Sequence, residues 1–365
     1  MGREIFSYLN DVDVDELTNV KRLLGHHLDN MSSSALIGKL YLNQGQIYRK
    51  IKNYPLAQKT WKKAISYFKL FDDPLNLARA YYYQGLTFKE EEKFSEALSR
   101  WNNILELSVL DDEPELKSKA FYQMGITLIY HLQDLEKARR YLEEGAGLAK
   151  KAGDYHLEIK ITQELACLLV KMGDFDQALR VYYRVIARWK GLNEKSQLAK
   201  VLDDLGRLHQ KMDQVKRAIS AFKYSLRLKE KCDRDNIGAT IIQLSKTYLE
   251  DDIEKTRYYC QKFTENFIED VDYIIDKKVE KELAQIFFLM GLYCQRKDDK
   301  KNMLIFFKQS LTIYKKYEME DKWHKVYKIY SKYNKSENKF SETKDLVNGL
   351  ANHEKLRLHK SMGIG

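Results

Sequence analysis

The stretch AYYYQGLTFKEEEKFSEALSRWNNI, residues 80–104, decides the fold. It holds two helix-length segments, one around Gly85 and one around Ala97, and Trp101 follows the alanine by one turn. Two helices approach closely only where a small residue faces the partner, and a large side chain one turn further on fills the space that remains. The stretch therefore predicts a pair of packed antiparallel helices.

The same pattern recurs along the chain, which is typical of a repeat protein. The small residue of the first segment recurs with spacings of 40, 40, 41, 40, 39 and 46 residues. It stands at Gly45, Gly85, Gly125, Ala166, Gly206, Ser245 and Gly291. The second segment repeats Ala57, Ala97, Ala138, Ala178 and Ala218, followed one turn later by Trp61, Trp101, Leu142, Tyr182 and Phe222. Acidic residues before Pro74 and Pro114 are good helix starts. Seven copies of one helix pair are predicted.

This pattern of small residues, Tyr or Phe, and Ala resembles the tetratricopeptide repeat family over residues 34–335. The period of about 40 is longer than the 34 residues typical of the family. It is similar to the long-repeat variant of bacterial peptide-pheromone receptors of the Rap type. Repeat six departs most, with Thr256 in place of alanine and a shorter connection between its helices. The resemblance implies an all-α fold, a right-handed superhelical solenoid of about seven helix-turn-helix repeats with capping helices.

Solenoids need caps over their exposed ends. We predict capping helices within residues 1–33 and 336–365, with helices near 13–30 and 336–359 and a frayed end. Residues 34–335 would hold the seven repeats and the start of a degenerate eighth.

Composition fits a helical protein, with 3 prolines, 17 glycines and 32% charged residues among 365. We expect a cytoplasmic location, because the sequence has no apolar run long enough for a membrane span or a signal peptide. The four cysteines are scattered and predict neither a zinc site nor a disulfide framework. Phosphate-loop, dinucleotide, serine-hydrolase and zinc-protease motifs are absent from the sequence, so we expect no enzymatic activity, metal or cofactor. The net charge of +10 makes an acidic partner worth considering.

In tetratricopeptide arrays the first helix of each repeat lines a groove, and this resemblance implies which side chains face a ligand. They lie six and three residues before the small residue, and one, four and five after it. At six before, five successive repeats carry a basic residue, which we call the basic ladder: Lys39, Arg79, Lys119, Lys160 and Lys200. A second basic row at four or five after includes Arg49, Lys50, Lys89, Lys171, Lys211 and Arg296, and Arg207 lies one after its glycine. Between the rows lie Leu42, Tyr82, Tyr122, Leu86 and Ile126.

Basic rows with aromatic side chains between them suit an extended acidic peptide or an acidic helix. The alternative interpretation is that the ladder is a solvated face of a Lys-rich protein. Nucleic-acid binding through the tyrosine pairs is not favoured, because helical spacing turns most of these rings into the core. We expect a protein or short peptide as partner, with self-association through the end caps as a further alternative.

Two functions remain open from the sequence. One is a bacterial regulator of the peptide-receptor type, in which peptide binding alters the superhelix. The other is a constitutive scaffold or adaptor that holds an acidic partner in a larger assembly.

Overall fold

The computed structural model describes residues 34–107, 114–232, 236–268 and 277–334. These residues form helices joined by short connections, and the described part contains no strand. The prediction of an all-α repeat fold is therefore confirmed. The capping helices predicted near residues 13–30 and 336–359 lie outside the described residues.

The chain divides into two compact units, and the boundary between Val181 and Tyr182 falls inside a helix. In the first unit, each of the first three first helices packs on its second helix, and neighbouring first helices contact each other in turn. The helices, which we number in chain order, are α1 (Ser34–Lys50), α2 (Tyr54–Leu70), α3 (Pro74–Glu90), α4 (Phe94–Leu105), α5 (Pro114–Thr127), α6 (Leu135–Lys151), α7 (Tyr155–Met172) and α8 (Phe175–Gly191).

The second unit repeats the arrangement, with α9 packed on α10, α11 on α12 and α13 on α14. Its helices are α9 (Lys195–Lys211), α10 (Val215–Cys232), α11 (Ile237–Asp251), α12 (Ile253–Ile268), α13 (Lys277–Arg296), α14 (Lys300–Lys316) and α15 (Glu320–Tyr333). The helix α15 stands where the first helix of an eighth repeat is predicted.

The small residues of the first helices lie against the large residues of the second helices. A methyl group added at Gly45 would lie 2.9 Å from the buried Trp61 ring, and one added at Gly206 would lie 2.6 Å from the Phe222 ring. Both distances are shorter than any ordinary carbon contact. The glycine therefore sets how closely the two helices of a repeat approach, as the sequence pattern predicts.

Acidic side chains start several of the helices. Asp73 accepts a hydrogen bond from the backbone N–H of Asn76 at 3.0 Å, and Pro74 is the first residue of α3. Asp134 and Asp154 cap α6 and α7 in the same way. These caps satisfy N–H groups that have no partner inside the helix.

A π-helical turn, Leu128–Leu132, extends α5 and explains the spacing of 41 residues after Gly125. In five other repeats a residue with positive φ ends the first helix seven positions after the small residue: Lys52, Glu92, Gly173, Asp213 and Asp298. In this repeat the equivalent residue is Gln133, eight positions after Gly125. The wider turn absorbs the extra residue and keeps the next helix in register.

Candidate functional site

The first helices of the first unit, α1, α3, α5 and α7, lie side by side. Successive positions predicted to face a ligand are three or four residues apart, except the last two, which are adjacent, and this spacing places them on one side of each helix. We call the surface that they form in this unit the first-helix face.

The basic ladder contributes four residues to the first-helix face. The side chains of Lys39, Arg79 and Lys160 are exposed, and that of Lys119 is half-buried. Arg79 donates a hydrogen bond to Asn76 Oδ1 of its own helix, and Lys119 forms an ion pair with Glu115 of its own helix. Within the described part of this unit, no neighbouring helix supplies a carboxylate to the ladder. Exposed positive charge therefore remains at Lys39, Arg79 and Lys160, whereas that of Lys119 is compensated by Glu115.

Two half-buried tyrosines lie next to the ladder. Burial raises the pKa of Tyr82, whose side chain is hydrogen-bonded to Gln123. Burial also raises the pKa of Tyr122, and the negative charge of Glu164 raises it further. Both phenols stay protonated at neutral pH, so each offers an O–H donor as well as a flat apolar surface.

The aliphatic residues predicted for the face lie at different depths. Leu86 and Ile126 are half-buried beside the tyrosines. Leu42 is 7% exposed and belongs to the hydrophobic core cluster that contains Trp61. Leu42 therefore contributes to packing in α1 and offers little surface to a ligand.

Side chains of the second basic row form contacts with neighbouring helices of the protein itself. Arg49 of α1 forms an ion pair with Glu90 of α3. Lys89 of α3 donates a hydrogen bond to Gln123 Oε1 of α5 at 3.1 Å. Burial lowers the pKa of Lys89, although the nearby carboxylates of Glu164 and Glu90 act in the opposite direction. These contacts join successive first helices to one another.

The π-helical turn continues this chain of contacts to α7. Tyr130 of the turn donates a hydrogen bond to Glu164 Oε2 of α7 at 2.9 Å. Lys171 Nζ, at the end of α7, lies 5.1 Å from the centre of the Tyr130 ring. Lys171 is exposed, yet its charge already faces an aromatic ring.

Sequence reasoning missed the acidic and amide groups of the first-helix face. Glu90 pairs with Arg49, Gln123 accepts a hydrogen bond from Lys89, and Glu164 accepts one from Tyr130 of the π-helical turn. Glu90 lies five positions after Gly85, at a register chosen for the second row, so its place on the face could have been predicted from the sequence. The ladder thus differs from the second row, since its charges are not compensated from neighbouring helices.

Predicted site residues also occur in the second unit. Lys200 and Lys211 are exposed on α9. Arg207 forms an ion pair with Asp204 at 2.5 Å on the same helix. Arg296 at the end of α13 donates a hydrogen bond to the backbone carbonyl of Leu249.

A buried polar cluster lies between α9, α10 and α11. Lys229 Nζ contacts Asp203 Oδ2 at 2.6 Å, and the two side chains are 5% and 8% exposed. Lys229 also donates to Thr240 Oγ1 at 2.9 Å and to the backbone carbonyl of Asn236 at 3.1 Å. The charges are paired and hydrogen-bonded, which burial of an ion pair requires.

Two negative findings concern the described ranges. No helix there is long and apolar enough to cross a membrane. Among the same residues, no group of three His, Cys, Asp or Glu side chains is arranged to hold a metal ion.

Residues 117–191 and 162–231 match the family model described as tetratricopeptide repeat. Among curated proteins, no sequence matches that of this chain. Among solved structures, the fold is similar to the apo form of the quorum sensor NprR from B. thuringiensis, at 13% identity, 91% of this chain, 97% of that chain and a TM-score of 0.56. It is also similar to a Rap protein complexed with Competence and Sporulation Factor, at 14% identity, 91% and 96% coverage, and a TM-score of 0.51. The yeast Tom70 structure is similar at 16% identity, 87% and 59% coverage, and a TM-score of 0.54.

The helix pairs and these likenesses define the class of the protein as an α-helical repeat protein with the tetratricopeptide fold. Its central residues, 117–231, match the tetratricopeptide repeat model by sequence as well as having this fold. The predicted resemblance to the Rap type is confirmed at the level of the fold.

Proposed function

We propose that the first-helix face of the first unit binds an extended, acidic segment of another polypeptide. The observation that carries the proposal is the basic ladder, with exposed Lys39, Arg79 and Lys160 beside half-buried Tyr82 and Tyr122. Lysine and arginine form charge-assisted hydrogen bonds with carboxylates, while tyrosine offers flat contact area at low entropic cost.

The spacing of the helices sets the length of the ligand. Helices packed side by side are about 8–10 Å apart, so the four first helices span about 27 Å from α1 to α7. An extended peptide advances about 3.3 Å per residue, so about eight residues would contact the whole ladder. Alternate side chains of such a peptide point the same way, so acidic residues could meet the ladder while apolar residues meet the tyrosines.

We propose that the protein is a cytoplasmic regulator of the peptide-receptor type. The proposal is supported by the similarity in fold to the quorum sensor NprR and to the Rap protein complexed with Competence and Sporulation Factor. The second candidate is a scaffold that holds a longer acidic partner. The similarity in fold to Tom70 is compatible with either function.

The test is binding of a fluorescent peptide of about eight residues in which Glu alternates with Leu and Tyr, measured by anisotropy at several salt concentrations. The variant changes Lys39, Arg79 and Lys160 to Glu. The matched control changes Lys62, Arg140 and Arg180, which are exposed on second helices of the same unit, to Glu. We expect the ladder variant to bind at least about tenfold more weakly than wild type, and the control to bind within about twofold of wild type.

A peptide with Gln in place of Glu should bind weakly to all three proteins. An equal loss of affinity in both variants would show that net charge alone attracts the peptide. Equal affinity in all three proteins would show that the ladder does not bind the peptide. Receptor and scaffold are then separated by small-angle X-ray scattering. A receptor should change its radius of gyration on binding the short peptide, whereas a scaffold should not.

A further inference from the structure

Two lysines of the second unit reach the same turn of α13 from different helices. Lys246 of α11 donates a hydrogen bond to Gln285 Oε1 at 3.2 Å. Lys325 Nζ of α15 lies 5.9 Å from the centre of the Phe288 ring. Gln285 and Phe288 are three residues apart on α13, so they share one side of that helix.

A third lysine, Lys322, lies on α15 one turn before Lys325. Burial lowers the pKa of Lys246, and the positive charges of Lys322 and Lys325 lower it further. The charges of Lys322 and Lys325 therefore both act on the ammonium group of Lys246. We call Lys246, Lys322 and Lys325 the lysine cluster.

No carboxylate forms an ion pair with the lysine cluster within residues 182–232, 236–268 and 277–334. Other lysines of the same unit do have such partners. Lys316 contacts Glu280 at 2.8 Å, and Lys262 contacts Glu230 at 2.6 Å. The cluster therefore holds positive charge that has no ion-pair partner among the described residues. Lys246, one of its three members, is half-buried.

Like charges held together are most stabilised by a ligand with more than one negative charge. Lysine acts as a point charge that suits phosphate, and the amide N–H₂ of Gln285 adds a neutral donor beside it. We propose that the lysine cluster, around Gln285 and Phe288 of α13, binds a phosphate monoester group. The group belongs to a phosphorylated protein segment or to a small phosphorylated molecule. This site is separate from the first-helix face, so either proposal can fail without the other.

The experiment is protection of lysines from acetylation by trace acetic anhydride, read for each lysine by mass spectrometry on the full chain. The probes are inorganic phosphate, phosphoserine, a pentapeptide with central phosphoserine and its unphosphorylated form, all at one ionic strength set with sodium chloride. We expect phosphate-bearing probes to slow acetylation of Lys246 with half-protection near 1 mM or below. Acetylation of Lys200, which is exposed on α9, should not change.

The variant pair sharpens the test. Changing Lys322 and Lys325 to Gln should raise the half-protecting concentration about tenfold or more, because two charge-assisted contacts are lost. The matched control changes Lys328 and Lys332, two exposed lysines of the same helix, to Gln and should leave protection of Lys246 unchanged. Circular dichroism and urea midpoints check that both variants fold like wild type.

Absence of protection by every phosphate probe would overturn the proposal. Equal protection of Lys200, or protection that survives the Lys322 and Lys325 changes, would overturn it as well, since either would show general screening. Stronger protection by the phosphopeptide than by phosphoserine supports the site and assigns it to a phosphorylated protein segment. Equal or weaker protection by the phosphopeptide supports the site and assigns it to a small phosphorylated molecule.

Discussion

At the scale of single residues, the close contact between Gly206 and Phe222 is the feature most sensitive to change. A β-carbon at Gly206 would lie 2.6 Å from the Phe222 ring, which is fully buried. We expect Gly206→Ala to lower the free energy of unfolding by about 2 kcal/mol, the usual cost of overpacking a core. Urea unfolding followed by circular dichroism measures the change.

Gly147 provides the control for this prediction. It lies exposed in α6, and a β-carbon built there meets nothing within 4 Å. Alanine favours the helix over glycine by about 0.5–1 kcal/mol, so Gly147→Ala should raise stability where Gly206→Ala lowers it. If both substitutions shift the midpoint in the same direction, the repeat glycines do not act through helix approach.

At the scale of elements, Asp203, Lys229 and Thr240 join three helices through one buried polar cluster. Asp203 lies three residues before Gly206, the register at which earlier repeats have Leu42, Tyr82 and Tyr122. We expect Asp203→Ala to cost about 3–5 kcal/mol, because it removes the ion-pair partner of the buried Lys229 ammonium. The same urea titration measures this cost, and it is also applied to the single variants Asp203→Leu and Lys229→Met.

The paired replacement Asp203→Leu with Lys229→Met separates two explanations of that cost. Apolar side chains of similar size often replace a buried ion pair with little loss, and Thr240 can donate to a carbonyl of its own helix. The double variant should therefore be clearly more stable than Asp203→Ala alone. A double variant as unstable as the sum of the two single variants would instead show that the charges themselves hold α9, α10 and α11 together.

The sequence predicts the contacts within a repeat but not the contacts between repeats. Gly45 with Trp61 and Gly206 with Phe222 are recognisable because helix approach demands a small residue and a large one at fixed spacing. The ion pair between Arg49 and Glu90 was not predicted, because a register tells which side of a helix a residue occupies and not which residue of the next helix it meets.

The π-helical turn shows the same limit. The spacing of 41 residues after Gly125 signals one extra residue, yet it does not tell whether a loop or the helix absorbs it. The helix does so at Leu128–Leu132, and Tyr130 there reaches Glu164 on the first-helix face. Tyr130 lies five positions after Gly125, at a register predicted to face a ligand, but the second row was defined by its basic residues and so did not include it.

At the scale of the whole molecule, helices pack on helices that are adjacent or two apart in the sequence. The core is accordingly a series of clusters, one containing Trp61 and Trp101 and another containing Phe222 and Phe307. In such a chain, stability is approximately a sum of repeat terms and nearest-neighbour terms. A local defect should thus weaken its own repeat and the adjoining repeats more than distant ones.

Hydrogen exchange on Gly206→Ala tests this expectation across the chain. Because the substitution strains the packing of α9 on α10, we expect faster exchange in these two helices and in α11, with α1 to α4 unchanged. Gly147→Ala, analysed in parallel, should leave all of these helices as protected as in wild type. A uniform increase in exchange over every helix would mean that the repeats unfold as one cooperative body, and it would contradict the nearest-neighbour description.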